Sequence, residues 1–238
     1  MLVAIHMPTS LDITSFDGTR LHATYWPRPP GMPAVVIVPG LGSRRANHSD
    51  CAEVCHSRGM GALTLDLRGH GDSEGALGPG ALDDVLSAID ALIAHGHTSI
   101  GLRGSSMGGF LSLIAASRHP AVRCVVAICP ARPEALAARI GDPWPCNFSL
   151  RDAVAVDDGV ARGYWHATGD ATVPWNATAA LAQHTAHPRH LRVVLGGSHN
   201  SLQHDPRVLA DTGAFLQTHL TDMPSAGACP RDEAAIAE

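Results

Sequence analysis

Ser99-Ile-Gly-Leu-Arg-Gly-Ser-Ser-Met-Gly-Gly-Phe-Leu-Ser-Leu-Ile114 is the stretch that decides the fold. Ser99–Arg103 reads as a short strand, and Met107, Phe110, Leu111 and Ile114 follow at helical spacing. Between them Gly104-Ser105-Ser106-Met107-Gly108 fits the pattern G-x-S-x-G, a strand-to-helix turn so sharp that its neighbours must be small. Such a turn lifts the Ser106 hydroxyl above the sheet edge, and the helix N-terminus beside it favours developing negative charge. Ser105 stands one position too early in the pattern and should point elsewhere.

The flanking segments extend the same alternation. Leu11–Ser15 and Arg20–Trp26 flank Phe16-Asp-Gly-Thr19, whose Asp-Gly signals a hairpin turn. Ala34-Val-Val-Ile-Val-Pro39 is a continuous apolar run, as in a strand buried on both faces. Asn47–Arg58 reads as a helix, Met60–Leu67 as a strand, and Leu82, Val85, Leu86, Ile89, Leu92 and Ile93 as one face of a helix. Val122–Ile128 is the next strand. Residues 130–162, rich in Pro, Ala and Asp, read as a short cap inserted into one domain spanning 1–220. Strand 164–168, helix 176–186, strand 190–195 and a last helix capped by Asp205 complete the pattern. The tail, 221–238, is small and polar and is expected to be disordered. A hairpin followed by alternating strands and helices predicts an α/β fold with a mostly parallel sheet and helices on both faces.

Composition narrows the function. The 238 residues carry 17 basic and 22 acidic side chains, a formal net charge of -5, and only 4% aromatics. Nothing there recruits a phosphate backbone or supplies many stacking platforms, so a nucleic-acid partner is not expected. No apolar run approaches the ~18 residues of a membrane span, and the N-terminus lacks a basic leader, so the expectation is a cytoplasmic protein with no membrane partner. The six cysteines are dispersed and read as free or structural thiols, and no metal site or cofactor fingerprint is found. His184, His187 and His190 are spaced by three, but Pro188 breaks the helix that would align them.

A serine hydroxyl is a weak nucleophile without a base, and the base needs an orienting acid. Among 15 histidines, His199 stands out, in Gly196-Gly-Ser-His-Asn-Ser201 just beyond a strand, where ligand crevices of open α/β sheets form. The acid candidate is Asp170, in Ala167-Thr-Gly-Asp-Ala-Thr-Val-Pro174, also just past a strand, with Glu134 as fallback. A tetrahedral intermediate needs backbone donors for its oxygen. Met107 N–H and Leu41 N–H, the latter in the glycine-rich loop Pro39-Gly-Leu-Gly-Ser43, are the candidates.

The order Ser106, Asp170, His199, together with Asp66-Leu-Arg-Gly-His-Gly-Asp-Ser73, resembles the α/β-hydrolase superfamily, in particular its serine esterases and lipases, over about residues 10–220. The resemblance implies the α/β-hydrolase fold with an eight-stranded sheet. It departs at Pro39-Gly40, where the family usually has His-Gly, so the loop lacks a side chain that often braces it. His70 and Asp72 are expected to shape a loop rather than to react. A serine nucleophile argues against the family's aspartate-dependent dehalogenases and epoxide hydrolases. The resulting expectation is a serine carboxylesterase acting on small, short-chain acyl esters, with Trp144, Phe148 and Trp175 as substrate-pocket candidates. Alternatives are an amidase, peptidase or polyester hydrolase using the same residues, or a non-catalytic binding protein that kept the pocket.

Overall fold

Runs of branched aliphatic residues with no polar break can only be satisfied as strands covered on both sides, and they form the centre of the sheet. The computed structural model describes residues 7–186 and 189–221. Ala34–Val38 (β3), Gly61–Leu65 (β4), Ile100–Ser105 (β5) and Ala161–Ala167 (β7) are buried at every position. Val122–Ile128 (β6) is buried except at Arg123. Thr9–Thr14 (β1) and Arg20–Trp26 (β2) form the antiparallel hairpin, and Arg189–Val194 (β8) is an exposed edge strand. Among the described residues these make one eight-stranded sheet in the order β1-β2-β4-β3-β5-β6-β7-β8, parallel from β4 onward. This is the mostly parallel sheet that the residue pattern and the resemblance implied.

Alternate residues of one strand face opposite layers. Ala34, Val36 and Val38 belong to one apolar cluster, with Leu82, Val85 and Ile89 of Ala81–Ala94 (α2) and with Met107–Ala116 (α3). Val35 and Ile37 belong to the other, with Cys51 and Cys55 of Ser49–Ser57 (α1) and Leu209 and Leu216 of Pro206–Thr221 (α7). The spacing in α3 predicted one apolar face, yet all ten of its residues are buried. The reason is packing on three sides: α3 lies between the sheet, α2 and the segment after β6.

That segment, the expected cap, carries Pro133–Ile140 (α4), a 3-10 turn at Trp144–Asn147 and Leu150–Ala155 (α5) before β7 begins at Ala161. Trp165–Asp170 then leads through a turn to Trp175–His184 (α6). Asp205 caps α7 as expected, its Oδ1 accepting from Arg207 N–H at 2.8 Å and Val208 N–H at 3.3 Å. Thr221, placed in the tail by the sequence reading, instead closes α7; the rest of that expected tail, residues 222–238 with Cys229, lies outside the described residues, as do His187 and Pro188.

The Asp66–Ser73 segment is structural. Asp66 is fully buried and its Oδ1 accepts from Arg45 N–H at 2.6 Å while Oδ2 accepts from Asp72 N–H at 3.0 Å. Arg45 pairs with both Asp66 and Asp72. Arg68 turns the other way, donating to Asp84 Oδ1 at 2.7 Å and Asp17 Oδ2 at 2.7 Å, and Ser15 Oγ also donates to Asp84 at 2.9 Å. These partners hold the Arg68 guanidinium protonated above its ordinary value, with Asp84 the larger contributor. His70 is engaged with the Arg68 carbonyl at 3.0 Å.

Because Asp84 has no side-chain exposure, Asp84→Ala strips buried Arg68 of its buried partner, leaving only the half-exposed Asp17, and is expected to cost roughly 3 kcal/mol. Glu74→Ala, which removes the exposed partner of Arg20, is expected to cost about 1 kcal/mol at most. Urea midpoints of the two variants check the contrast; equal shifts would contradict it.

Candidate active site

Backbone geometry fixes Ser106 before its side chain is considered. Ser106 has φ 51° and ψ -117°, a left-sided conformation that costs a non-glycine residue of order 1–3 kcal/mol and persists only when its surroundings over-determine it. They do so here. Ser106 N–H donates to Ile128 O at 2.9 Å, and Ser106 O accepts from Phe110 N–H and Ala131 N–H, each at 3.0 Å. A Cβ on Gly104 would overlap the Gly108 carbonyl, and one on Gly108 would overlap the Val38 carbonyl at the end of β3. The strand, the elbow and the first turn of α3 therefore touch backbone to backbone.

The same approach brings in the loop after β3. A Cβ on Gly40 would stand 3.3 Å from Ser106 Cβ, so this loop lies directly against the candidate nucleophile. Met107 opens α3, whose first-turn N–H groups have no acceptors within the helix. Leu41 lines the same cavity as Ser106 and His199. The missing loop histidine has a replacement that the sequence reading did not single out. Buried His48 shares a 3.1 Å hydrogen bond through Nε2 with Ser43 Oγ, bracing the loop from its far end. Burial, reinforced by the nearby charges of Arg103 and His204, pushes the His48 pKa down to about 3.

Asp170 and His199 are brought together from two loops 29 residues apart. His199 Nδ1 donates to Asp170 Oδ2 at 2.6 Å. Thr168 N–H donates to Val194 O at 2.9 Å, Gly169 N–H to Gly196 O at 3.2 Å, and Gly196 N–H to Thr168 Oγ1 at 2.9 Å. A Cβ on Gly169 would overlap the Gly197 carbonyl, so this glycine sets how closely the loops approach. Asp170 Oδ1 accepts from Thr172 N–H and Val173 N–H, each at 2.8 Å. Burial opposes the Asp170 charge, but these amides and His199 outweigh it and hold the carboxyl below its usual range.

A second histidine, also not singled out from the sequence, meets the same carboxylate. His166 is fully buried in β7, with Nε2 2.9 Å from Val173 O and 3.2 Å from Asp170 Oδ2. A carbonyl can only accept, so Nε2 carries the proton, while Nδ1 faces Thr178 Oγ1 at 2.8 Å. Burial lowers the His166 pKa, which favours the neutral ring. The available signal was a histidine set among Tyr164, Trp165 and Ala167 of a strand, four residues before the acid. Cys129, His166 and Asp170 bring ligand-type atoms within 4.8 Å of one another. In this arrangement the Nε2 proton and a thiol whose pKa burial raises face the carboxylate, so they act as donors to it rather than as a set of free lone pairs.

Ser106 and His199 line one cavity of about 400 Å³ with Leu41, Leu136 and Val173. Ser105 also contributes to its wall, contrary to the expectation that it points elsewhere. The three aromatic pocket candidates need correction. Trp144 is 2% exposed and packs against Phe110 of α3 and Phe148, inside the core, because the turn that carries it folds down onto α3. Phe148 lines a separate cavity of about 570 Å³ on the other side of α4, together with the fallback acid Glu134. Trp175 opens α6 and is 40% exposed, outside the wall around Ser106.

A family model described as "Serine aminopeptidase, S33" matches residues 31–144. Curated relatives include a 2-succinyl-6-hydroxy-2,4-cyclohexadiene-1-carboxylate synthase of Salmonella agona (strain SL483), 34% identical over 97 residues. That match covers 40% of this chain and 37% of the synthase, little more than a third of the relative's length. Among solved structures, the α/β hydrolase GrgF from Penicillium sp. sh18 aligns with a TM-score of 0.77 at 17% identity, covering 90% of this chain and 99% of that one. The Pyrococcus furiosus esterase Pf2001 aligns at 0.75 and 19% identity, covering 90% and 92%. Est1E from Butyrivibrio proteoclasticus, solved with ferulic acid, aligns at 0.72 and 20%, covering 87% and 96%. The chain has the α/β-hydrolase fold, and the family model matches just under half of it.

Two outcomes follow from the loop contacts. Gly169→Ala should push the Asp170 and His199 loops apart and lower covalent labelling of Ser106 by a fluorophosphonate at least tenfold, with the melting temperature as the control for folding. The second concerns pH. His48 is held near 3 in the folded chain, against ~6.5 when unfolded, so the unfolded state binds its proton first. Stability should therefore be full above about pH 6.5 and fall as pH drops toward 3, with His97 and His166, also lowered by burial, adding in the same direction. His48→Gln should flatten this decline in urea titrations between pH 6.5 and 4; an unchanged slope would remove His48 from the account.

Proposed function

We propose that the protein is a serine carboxylesterase acting on small, short-chain acyl esters. The observation that carries the reading is the 2.6 Å bond between His199 Nδ1 and Asp170 Oδ2, with His199 and Ser106 opening onto one cavity. An imidazole whose Nδ1 proton is committed to a carboxylate presents Nε2 as a lone pair. His199 Nε2 takes the Ser106 proton as Oγ attacks the ester carbonyl. The carbonyl oxygen becomes an oxyanion facing Leu41 N–H and Met107 N–H. Collapse expels the alcohol, which receives the proton from His199, and leaves an acyl-enzyme. Water, deprotonated by the same imidazole, attacks the acyl carbon, and collapse returns the carboxylic acid and free Ser106.

Asp170 keeps His199 in the tautomer with the proton on Nδ1 and stabilises the imidazolium that forms transiently. Its lowered pKa keeps it ionised through the neutral range, as this role requires. A cavity of about 400 Å³ is near the lower end of ~300–1,000 Å³ for ligand sites, which supports a short acyl chain. Every step uses groups of the chain and water, so the reading needs no cofactor. The five described cysteines are free thiols, which fits a reducing compartment such as the cytoplasm; among the described residues no helix is long and apolar enough to cross a membrane. A second reading, cleavage of amides or peptides by the same groups, is favoured by the family model's description as a serine aminopeptidase.

Ser106→Ala should reduce hydrolysis of nitrophenyl acetate or butyrate by roughly 10⁴–10⁶. Asp170→Asn should reduce it by about 10⁴ with the fold intact, by analogy with the same change in a serine protease. Undiminished turnover in Ser106→Ala would overturn the assignment. Matched ester and amide substrates decide between the two readings: the esterase reading expects the higher kcat/KM on the ester by more than the intrinsic reactivity difference.

A further inference from the structure

The roof of the cavity over Ser106 is one face of α4. Ala135 and Arg139 are four residues apart, hence on the same side of the helix, and both line this cavity with Leu136. Glu134 faces the separate cavity on the other side. The wall around Ser106 therefore holds the Arg139 guanidinium and no carboxylate side chain.

Most arginines are engaged within the fold, whereas Arg139, like Arg44, Arg123, Arg132 and Arg207, is not, and of these five only Arg139 lines the cavity around Ser106. Arg20, Arg45, Arg68, Arg162 and Arg192 are paired with carboxylates, and Arg58, Arg103 and Arg189 donate to carbonyl oxygens. Arg139 makes no ion pair or hydrogen bond among the described residues, so its planar fork of donors stays available. A guanidinium matches a carboxylate in two parallel bonds, which gives orientation as well as attraction. The chain as a whole carries a formal charge of -5 and repels anions, so an unpaired, solvent-exposed cation at the wall of this cavity makes a local exception. The same wall carries the small or aliphatic side chains of Ala131, Ala135 and Leu136.

We propose that Arg139 is a specificity-determining residue that binds a free carboxylate, and that the preferred substrates are esters carrying a carboxylate a few carbons from the scissile bond. Half-esters of short dicarboxylic acids place that group on the acyl side, and esters of short hydroxy acids place it on the alcohol side. The inference rests on the serine-esterase reading of this site and names its substrate class.

The test compares matched pairs on the full chain by acid release. Monoethyl succinate against ethyl butyrate probes the acyl side, and 4-acetoxybutanoate against butyl acetate probes the alcohol side. At least one charged ester should exceed its neutral partner in kcat/KM by tenfold or more, mainly through KM. Sodium chloride should erode the preference. In Arg139→Gln the charged-to-neutral ratio should fall at least tenfold, and in Arg139→Glu it should invert. The pair that shows the effect identifies the side. A ratio near one in the wild-type chain, or an Arg139→Gln loss equal for both members of a pair, overturns the role of Arg139 and leaves the serine reading intact. Calorimetric binding of monoethyl succinate to Ser106→Ala, weakened at least tenfold by adding Arg139→Gln, tests the carboxylate site without turnover. Hydrolysis that survives Ser106→Ala overturns the serine reading instead; equal binding with and without Arg139 overturns the inference even if hydrolysis proceeds through Ser106.

Discussion

The site depends on how closely three pieces of backbone can approach. The end of β3, the elbow after β5 and the first turn of α3 meet where Gly104 and Gly108 leave no room for a Cβ. That contact holds Ser106 at φ 51°, and the hydrogen bonds of its N–H and carbonyl to Ile128, Phe110 and Ala131 supply the constraint. The strain is local, and the burial of all of α3 beneath α2 and the segment after β6 opposes its relaxation. The backbone donors of the proposed oxyanion site belong to the same close-packed unit, so they are positioned by the packing that positions the serine.

The acid half of the site is organised around one buried carboxylate. Asp170 is met at Oδ1 by two backbone amides and at Oδ2 by two histidines in different roles. An isolated buried carboxylate would become neutral; the backbone amides and His199 make the charged form the favoured one. His199 reaches the cavity, whereas His166 is enclosed in β7 and faces Thr178 and Val173. Gly169 allows the two carrier loops to lie backbone against backbone, which fixes the short Asp170–His199 separation.

The loop after β3 shows how a departure from a family pattern can be absorbed. Pro39 stands where a bracing histidine is usual, but the loop is tied down elsewhere. His48 holds Ser43, and Asp66 holds the Arg45 amide and guanidinium two residues further on. The Asp66–Ser73 segment thus acts on the site through the loop it anchors, while His70 and Asp72 are engaged in shaping that anchor.

What the sequence determined by itself was everything written in local pattern. Period-two and uninterrupted apolar runs located the strands of the sheet, and glycine spacing around Ser106 located the elbow, because both are dictated by neighbours along the chain. The positions just beyond strands pointed to Asp170 and His199 for the same reason. Only tertiary structure decided which side chains share space across loops. His48 and His166 lie only five and four residues from Ser43 and Asp170, but across turns whose geometry no helix or strand period encodes, so these contacts became visible only in the fold. Packing likewise sent Trp144 into the core and placed Phe148 on the far side of α4, while Arg139, an ordinary surface residue in the sequence, came to line the cavity. Aromatic content marks a residue as worth burying, but whether it is buried in core or in a pocket is set by how the inserted helices fold back on α3, and no local period encodes that.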